Sequence, residues 1–211
     1  MRTFRRTMLD SLLEKNQDYF RGIVLDIGGR DRGKFKKPRD KVQKWIFADI
    51  NEKNKPDIIL DVMDMKNIST NSINVVNATE LFEHVANPEK GLNECCRVLR
   101  KDGTIIISSP FLFPIHADPY DYQRLTDTKW KQILGLTGFN IEKFVIMGRF
   151  FTVLNEQLLL AIRSLPFGLR YLYYLIMPLL RLCNLLDSTR ISNVAPFKNF
   201  HGGYFIIARK S

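Results

Sequence analysis

Residues 93–108 read NECCRVLRKDGTIIIS, and this stretch decides the fold that the sequence predicts. Its first half continues a helix that we expect to start with Asn87 as N-cap and Pro88 in the first turn. One face of that helix is apolar and carries Leu92, Cys95, Cys96 and Leu99. Three basic residues suit its last turns, where cations favour the helix dipole: Arg97, Arg100 and Lys101. Gly103 is the expected stop, and 104–108 is a short apolar strand.

Outward from this stretch, six more apolar runs predict strands. They lie at 23–27, 45–50, 58–60, 73–76, 141–147 and 204–208. Helical spacing of apolar residues predicts an N-terminal helix at about 7–20, within residues 1–21, and a short helix around Trp130 that leads to Gly138. Short apolar strands separated by helices are typical of a mostly parallel sheet with helices on both faces. The prediction is therefore a single α/β domain, residues 1–211.

Polar residues and glycines follow several of these strands. Gly28-Gly29, Asp49, Asp61 and Asn77 each stand at the end of an apolar run, and a loop begins at Pro110. In open α/β sheets, ligands bind beyond the carboxyl ends of the strands. We therefore expect the functional site to lie among these residues.

The order of these pieces resembles the class I S-adenosylmethionine-dependent methyltransferases from about Gly22 to Ala208. The blocks that carry the resemblance are VLDIGGRDRG (24–33), FADI (47–50), DIILDV (57–62), ELFEHV (80–85) and NECCRVLRKDG with TIIIS (93–108). The resemblance implies a Rossmann-like, seven-stranded, mostly parallel sheet with a helical insertion between the last two strands. It also implies transfer of a methyl group to a hydroxyl or similar nucleophile of a glycan, lipid-linked or small-molecule acceptor, as in polysaccharide biosynthesis.

The resemblance further implies S-adenosylmethionine as cofactor. Asp49 would bind the ribose hydroxyls and Asp61 the adenine, since one carboxylate can accept both donors of a ribose diol. A glycine turn lets the backbone approach the methionine moiety of the cofactor. The cofactor-binding residues expected in full are Asp26, Gly28, Gly29, Asp49, Ile50, Asp61, Val62, Asn77, Ala78 and His84.

The glycine loop departs from the family pattern. Arg30 and Arg32 stand at the second and third glycine positions, and Arg30 also breaks the dinucleotide-binding fingerprint, which disfavours an NAD-dependent enzyme. Residues 30–44, interrupted by Pro38, are a poor helix. These departures keep open the alternative of a non-catalytic methyltransferase-like protein that binds a partner or a membrane.

The segment SSPFLFPIHADPYDYQRLT (108–126) holds the candidate catalytic residues. His116 is the candidate general base, while Tyr122 and Arg124 would orient the acceptor. The alternative is that Asp121 and Arg124 pair with each other and only fix the loop. We expect no metal; the weaker alternative is a site built from His116, Asp118 and Asp121. Glu80 and Glu83 are interpreted as acids at a helix start.

Residues 150–200 form an apolar insertion whose most hydrophobic part is 158–186. Pro166, Pro178 and several arginines interrupt it, so it is too broken to span a bilayer. One hypothesis is a helical lid or homodimer surface. The other is a peripheral membrane contact that presents a lipid-linked acceptor to the site.

Composition limits the partners and the cellular compartment that we expect for the protein. The chain has 211 residues, 45% of them hydrophobic, and a formal net charge of +10, much of it concentrated in residues 30–44. No interleaved aromatics accompany that basic stretch, so nucleic acid is an unlikely partner. Three cysteines with two adjacent suit neither a disulfide framework nor a zinc site. No apolar signal segment follows the N-terminal arginines. We expect a cytoplasmic protein, at the inner face of the membrane if the insertion binds lipid.

Overall fold

Seven strands form one sheet in the order β3-β2-β1-β4-β5-β7-β6. The computed structural model describes residues 3–29, 35–116, 120–168 and 171–211. The strands are β1 Gly22–Ile27, β2 Val42–Asp49, β3 Ile58–Ile59, β4 Ile73–Thr79, β5 Leu99–Pro110, β6 Phe139–Ile146 and β7 Gly203–Lys210. Neighbours among β1 to β5 pair in parallel, whereas β7 is antiparallel to both β5 and β6. The predicted fold class is confirmed.

The helices are α1 Phe4–Lys15, α2 Pro88–Val98, α3 Asp127–Leu136, α4 Phe150–Arg163 and α5 Leu172–Asn184. Side chains cap the first three: Thr3 accepts from the amide of Arg6, Asn87 from that of Lys90, and Thr126 from that of Lys129. Such caps satisfy amides that a helix start otherwise leaves unpaired. The N-cap predicted at Asn87 is therefore confirmed.

Helices cover both faces of the sheet. On one face, Leu92 of α2 and Trp130 of α3 pack in the large core cluster that includes Leu25. On the other face, Leu9 of α1 packs in a cluster with Val24, the adjacent strand residue. Successive strand residues point to opposite faces, and here both faces of β1 are buried.

Two boundaries differ from the sequence prediction. Helix α2 ends at Val98, and Leu99 already pairs with Ile73 of β4. The next pair is Val75 with Thr104, so residues 100–103 bulge out of the ladder and Gly103 belongs to β5. The helix was predicted too long because helical periodicity does not show that Leu99 pairs with a neighbouring strand.

Strand β4 is also longer than predicted. It continues to Thr79, which pairs with Ser108 of β5. Asn77 and Ala78 therefore lie inside the strand instead of after its end. The polar side chain of Asn77 suggested a strand end, but its amide is satisfied inside the sheet by the Asp26 carboxylate.

The link between β1 and β2 contains no helix in its described parts, residues 28–29 and 35–41. Phe35 instead places its ring 5.4 Å from that of Phe20, which stacks on Trp45. The poor helix predicted for 30–44 is confirmed for this portion. Residues 30–34 of that stretch, which include Arg30 and Arg32 of the glycine loop, lie outside the described residues.

Helices α4 and α5 form the predicted insertion between the last two strands. Asp187, in the turn after α5, accepts hydrogen bonds from the amides of Arg149, Phe151 and Thr152 at the start of α4. The buried amide of Asn155 donates to the backbone carbonyl of Leu180 at 2.9 Å. These contacts join the two helices. Within the described residues, no helix is both long enough and apolar enough to cross a membrane.

Candidate functional site

A cleft of about 270 Å³ opens at the carboxyl edge of the sheet, beyond the ends of β1 to β4. Among its lining residues are seven that the sequence analysis selected: Gly28, Asp49, Ile50, Asp61, Val62, His84 and Tyr122. This is the edge where ligands of such sheets bind. The individual roles of these residues in binding stay predictions.

Asp49 stands at the end of β2 and is only 7% exposed. One carboxylate oxygen accepts from the Asn51 amide and the other from the Asn54 side chain, each at 2.8 Å. These two contacts fix the orientation of the carboxylate, and a carboxylate oxygen accepts more than one hydrogen bond. The cleft thus has an oriented acid at the end of its second strand.

Asp61 follows β3 on the neighbouring wall. Its Oδ1 accepts from the Met63 amide at 2.8 Å, which holds the turn after the strand. Ile50 is 61% exposed beside Asp49, and Val62 is buried beside Asp61. The two acids and two apolar side chains give this end of the cleft both acceptors and apolar surface.

Four predicted cofactor residues do not line the cleft: Asp26, Gly29, Asn77 and Ala78. Asp26 is buried, and its carboxylate accepts from the Asn77 amide at 2.7 Å and from the Trp45 indole at 2.9 Å. A Cβ on Gly29 would come within 2.0 Å of Asp26 Oδ1, so the turn requires glycine there. Asp26 and Asn77 thus bind each other within the sheet, and Gly29 packs against Asp26 at the start of the loop after β1.

The sequence analysis missed Glu80 as a cleft residue. It follows β4, has φ of 54° and accepts from the Ser108 hydroxyl at 2.8 Å. Its carboxylate also binds the guanidinium of Arg5 in α1. Burial raises the pKa of Glu80, but Arg5 outweighs burial and the net shift is downward. Glu80 is therefore not at a helix start, and no local pattern could have revealed a partner at residue 5.

The loop after β5 supplies the predicted catalytic residues. Tyr122 lines the cleft and is 52% exposed, whereas His116 and Arg124 are not lining residues. The two terminal guanidinium nitrogens of Arg124, Nη1 and Nη2, donate to the Asp121 carboxylate. The Asp121–Arg124 pairing that the sequence left open as a structural alternative is thus present.

Asp121 also binds His116. Its Oδ2 accepts from the His116 amide at 2.8 Å and lies 3.4 Å from the imidazole Nδ1. The hydrogen bond from Arg124 lowers the pKa of Asp121 to about 2, with a smaller contribution from the His116 amide. An ionised Asp121 beside the imidazole orients the His116 ring.

His84 and Glu83 lie in a single 3₁₀ turn, Phe82–His84, directly after the loop that contains Glu80. Glu83 is buried, and burial with the nearby Glu80 carboxylate raises its pKa to about 8. The His84 ring contacts the His116 ring edge-on, with centroids 5.2 Å apart. This arrangement brings two loops distant in sequence together at one side of the cleft. Asp118, named in the alternative metal site, lies outside the described residues.

Comparisons with known proteins agree with this architecture. The family model for a methyltransferase domain matches residues 40–107. A solved S-adenosylmethionine-dependent methyltransferase from Archaeoglobus fulgidus has a TM-score of 0.59 and 20% identity, covering 97% of this chain and 94% of its own. A candidate methyltransferase from Bacillus halodurans has a TM-score of 0.60 and 15% identity, with coverages of 95% and 98%. The chain has the class I methyltransferase fold, which confirms the resemblance noted from the sequence.

A third similar structure is the cyclase SpnF, with a TM-score of 0.61 and 15% identity, covering 96% of this chain and 80% of its own. The comparison with curated proteins found no match. Because a cyclase shares this fold, the fold alone does not define the reaction. The reaction has to be argued from the cleft.

Proposed function

We propose that this chain binds S-adenosylmethionine in the cleft and transfers its methyl group to an acceptor. The observation that carries the proposal is the pair Asp49 and Asp61, at the ends of adjacent strands and on the wall of one cleft. A carboxylate in a sheltered site favours a ligand with neighbouring hydroxyls. Ile50 and Val62 offer apolar surface to a flat base. Gly28, with φ of 70°, brings backbone to the cleft without a side chain.

For the acceptor we propose a hydroxyl or similar nucleophile of a glycan, lipid-linked or small molecule. His116 would accept the acceptor's proton, because Asp121 orients its ring. Tyr122 would position the acceptor from the cleft wall. Arg124 would act through Asp121 by holding the loop. Methyl transfer otherwise requires mainly alignment of nucleophile, methyl and sulfur, which these loops would provide.

We further propose that the insertion binds a membrane surface and brings a lipid-linked acceptor to the site. One stripe on and around α5 is at least 59% exposed throughout: Tyr171, Tyr174, Leu175, Leu179, Leu182 and Leu185. Contiguous apolar surface of this kind marks an interaction site. Exposed Arg181 and the net charge of +10 favour anionic lipid as the partner. Three free cysteines are in keeping with a reducing compartment, the cytoplasm.

The test of cofactor binding is calorimetric titration with S-adenosylmethionine and S-adenosylhomocysteine, with NAD as the control ligand. We expect micromolar binding of the first two only. Asp49→Asn should weaken that binding at least tenfold, since a charged acceptor of the ribose hydroxyls is lost, worth about 1.5–3 kcal/mol.

Asp57→Asn is the matched control. Asp57 is an exposed acid that accepts from the Phe47 amide at 2.8 Å and lies outside the cleft. Its substitution should leave the affinity unchanged. Equal affinity of wild type and Asp49→Asn would contradict the assigned pocket. Absence of binding by the folded wild type would favour the non-catalytic alternative.

A further inference from the structure

Glu83, His84 and His116 converge beside the cleft. One potential metal ligand atom from each lies within 4.8 Å of the others. We propose that these three side chains bind a divalent transition-metal ion, such as Zn²⁺. The inference departs from the expectation of no metal, and it uses a different set from His116, Asp118 and Asp121.

The histidines already have the orientation that a metal needs. Nδ1 of His84 contacts the backbone carbonyl of Tyr120, and Nδ1 of His116 lies 3.3 Å from the Pro114 carbonyl and 3.4 Å from Asp121. Oxygen partners of this kind hold the proton on Nδ1 and leave Nε2 as an electron-pair donor. Metal-binding histidines are fixed in this way by a carbonyl or carboxylate on the other nitrogen.

The carboxylate gives an independent indication. Glu83 is 1% exposed, and neither of its oxygens has a hydrogen-bond partner among the described residues. Its Oε1 lies 3.9 Å from Nε2 of His84. A buried acid without a partner is costly, and a cation at this point would remove that cost.

The set of donors selects the metal. Two imidazoles with one carboxylate suit Zn²⁺ and similar transition ions, whereas Mg²⁺ prefers oxygen ligands. Ligands about 2 Å from a tetrahedral ion lie roughly 3.4 Å apart, so separations in the cluster have to shorten by up to about 1.4 Å. His116 is on a loop, which accommodates such a movement. Three protein ligands leave one position open, as in catalytic zinc sites.

The catalytic consequence rests on the proposed function. His84 lines the cleft, so the open position would be accessible to an acceptor oxygen. A bound divalent ion lowers the pKa of a hydroxyl group that coordinates it. In the metal-loaded protein His116 would then be a ligand, and the general-base role proposed above would belong to the metal-free protein only.

The experiment is calorimetric titration of the metal-free full-length chain with Zn²⁺, repeated with Co²⁺ while visible absorption is recorded. We expect one saturable site and a cobalt spectrum typical of nitrogen and oxygen ligands. His116→Gln should weaken Zn²⁺ binding at least tenfold, and so should His84→Gln. Mg²⁺ should not compete.

His201→Gln is the matched control, because His201 pairs with Tyr204 and is not part of the cluster. It keeps all cysteines, as do the test variants, so binding to thiols would be equal in each. Unchanged zinc affinity in both cluster variants, or absence of a saturable site, overturns the metal proposal. The wild type is also titrated with S-adenosylhomocysteine, and absence of that binding beside a saturable zinc site overturns only the proposed function.

Discussion

The Arg5 guanidinium of α1 donates to both oxygens of the Glu80 carboxylate, over distances of 2.7 and 2.6 Å. Arg5 is 4% exposed, and its amide donates to Glu156 of α4 as well. Glu80 lines the cleft directly after β4. A single residue near the N-terminus therefore connects the first helix, the insertion and one wall of the candidate site.

Replacing Arg5 with Met should destabilise the fold by about 3 kcal/mol, because Glu80 and Glu156 would stay largely buried without their cation. Urea unfolding measures the loss. Lys41→Met is the control, since its pair with Asp18 is exposed and should contribute little. Equal stability of wild type and Arg5→Met would show that the ion pair is not needed.

The same pair predicts a dependence on pH. Because Arg5 holds the pKa of Glu80 below its ordinary value of 4.5, the stabilisation is present above that value and is lost as pH falls through the folded pKa. In Arg5→Met, burial raises the pKa of Glu80. The difference in free energy of unfolding between wild type and variant should therefore be largest near neutral pH. The free energies of unfolding of wild type and Arg5→Met at pH 7 and pH 4 test this. The same difference between the two proteins at both pH values would contradict it.

Gly28→Ala should weaken cofactor binding and cost about 1–2 kcal/mol of stability. Gly28 has a left-handed φ of 70°, which disfavours a side chain, and its new Cβ would lie 3.3 Å from Leu81. Gly135→Ala in α3 is the counterpart, since a Cβ there contacts nothing within 4 Å. That variant should be slightly stabilised and bind normally. Binding of S-adenosylhomocysteine and thermal unfolding distinguish the two.

Replacing Leu175, Leu179 and Leu182 together with Gln should reduce binding to phosphatidylserine vesicles at least tenfold, because about 0.8 kcal/mol is lost per buried methylene. Cosedimentation measures the effect. Leu136→Gln, an equally exposed leucine of α3, should bind vesicles as wild type does. The stripe would instead be a dimer surface if the wild type does not bind vesicles but forms a dimer, and the triple variant is a monomer.

The sheet could be predicted because each strand is marked locally. Runs such as Ile73–Val76 are apolar enough to be recognised alone, and acids such as Asp49 directly follow them. Their meeting at one edge follows from parallel pairing. The cleft residues that lie at strand ends could therefore be predicted from the sequence.

What the sequence concealed depends on pairs distant in the chain. Arg5 with Glu80 has no local pattern, and neither does the contact between the His84 and His116 rings. Asp26 was selected for the cofactor, but Asn77 and Trp45 occupy its carboxylate. Periodicity shows on which face of a helix or strand a residue lies. These contacts depend instead on which segments, distant in sequence, lie close together in the fold.

Strands β6 and β7 are antiparallel neighbours, so the segment from Ile146 to Gly203 occupies the place of a hairpin loop. The entropy of closing a loop grows only slowly with its length, and Asp187 fastens this one internally to the start of α4. The strands on either side are held by their own pairing, so we expect the part of the segment beyond the Arg5–Glu156 contact to tolerate changes of length while the strands keep their register. On the proposal that the insertion presents the acceptor, changes confined to it would alter acceptor preference and leave the strand ends that face the cofactor unchanged.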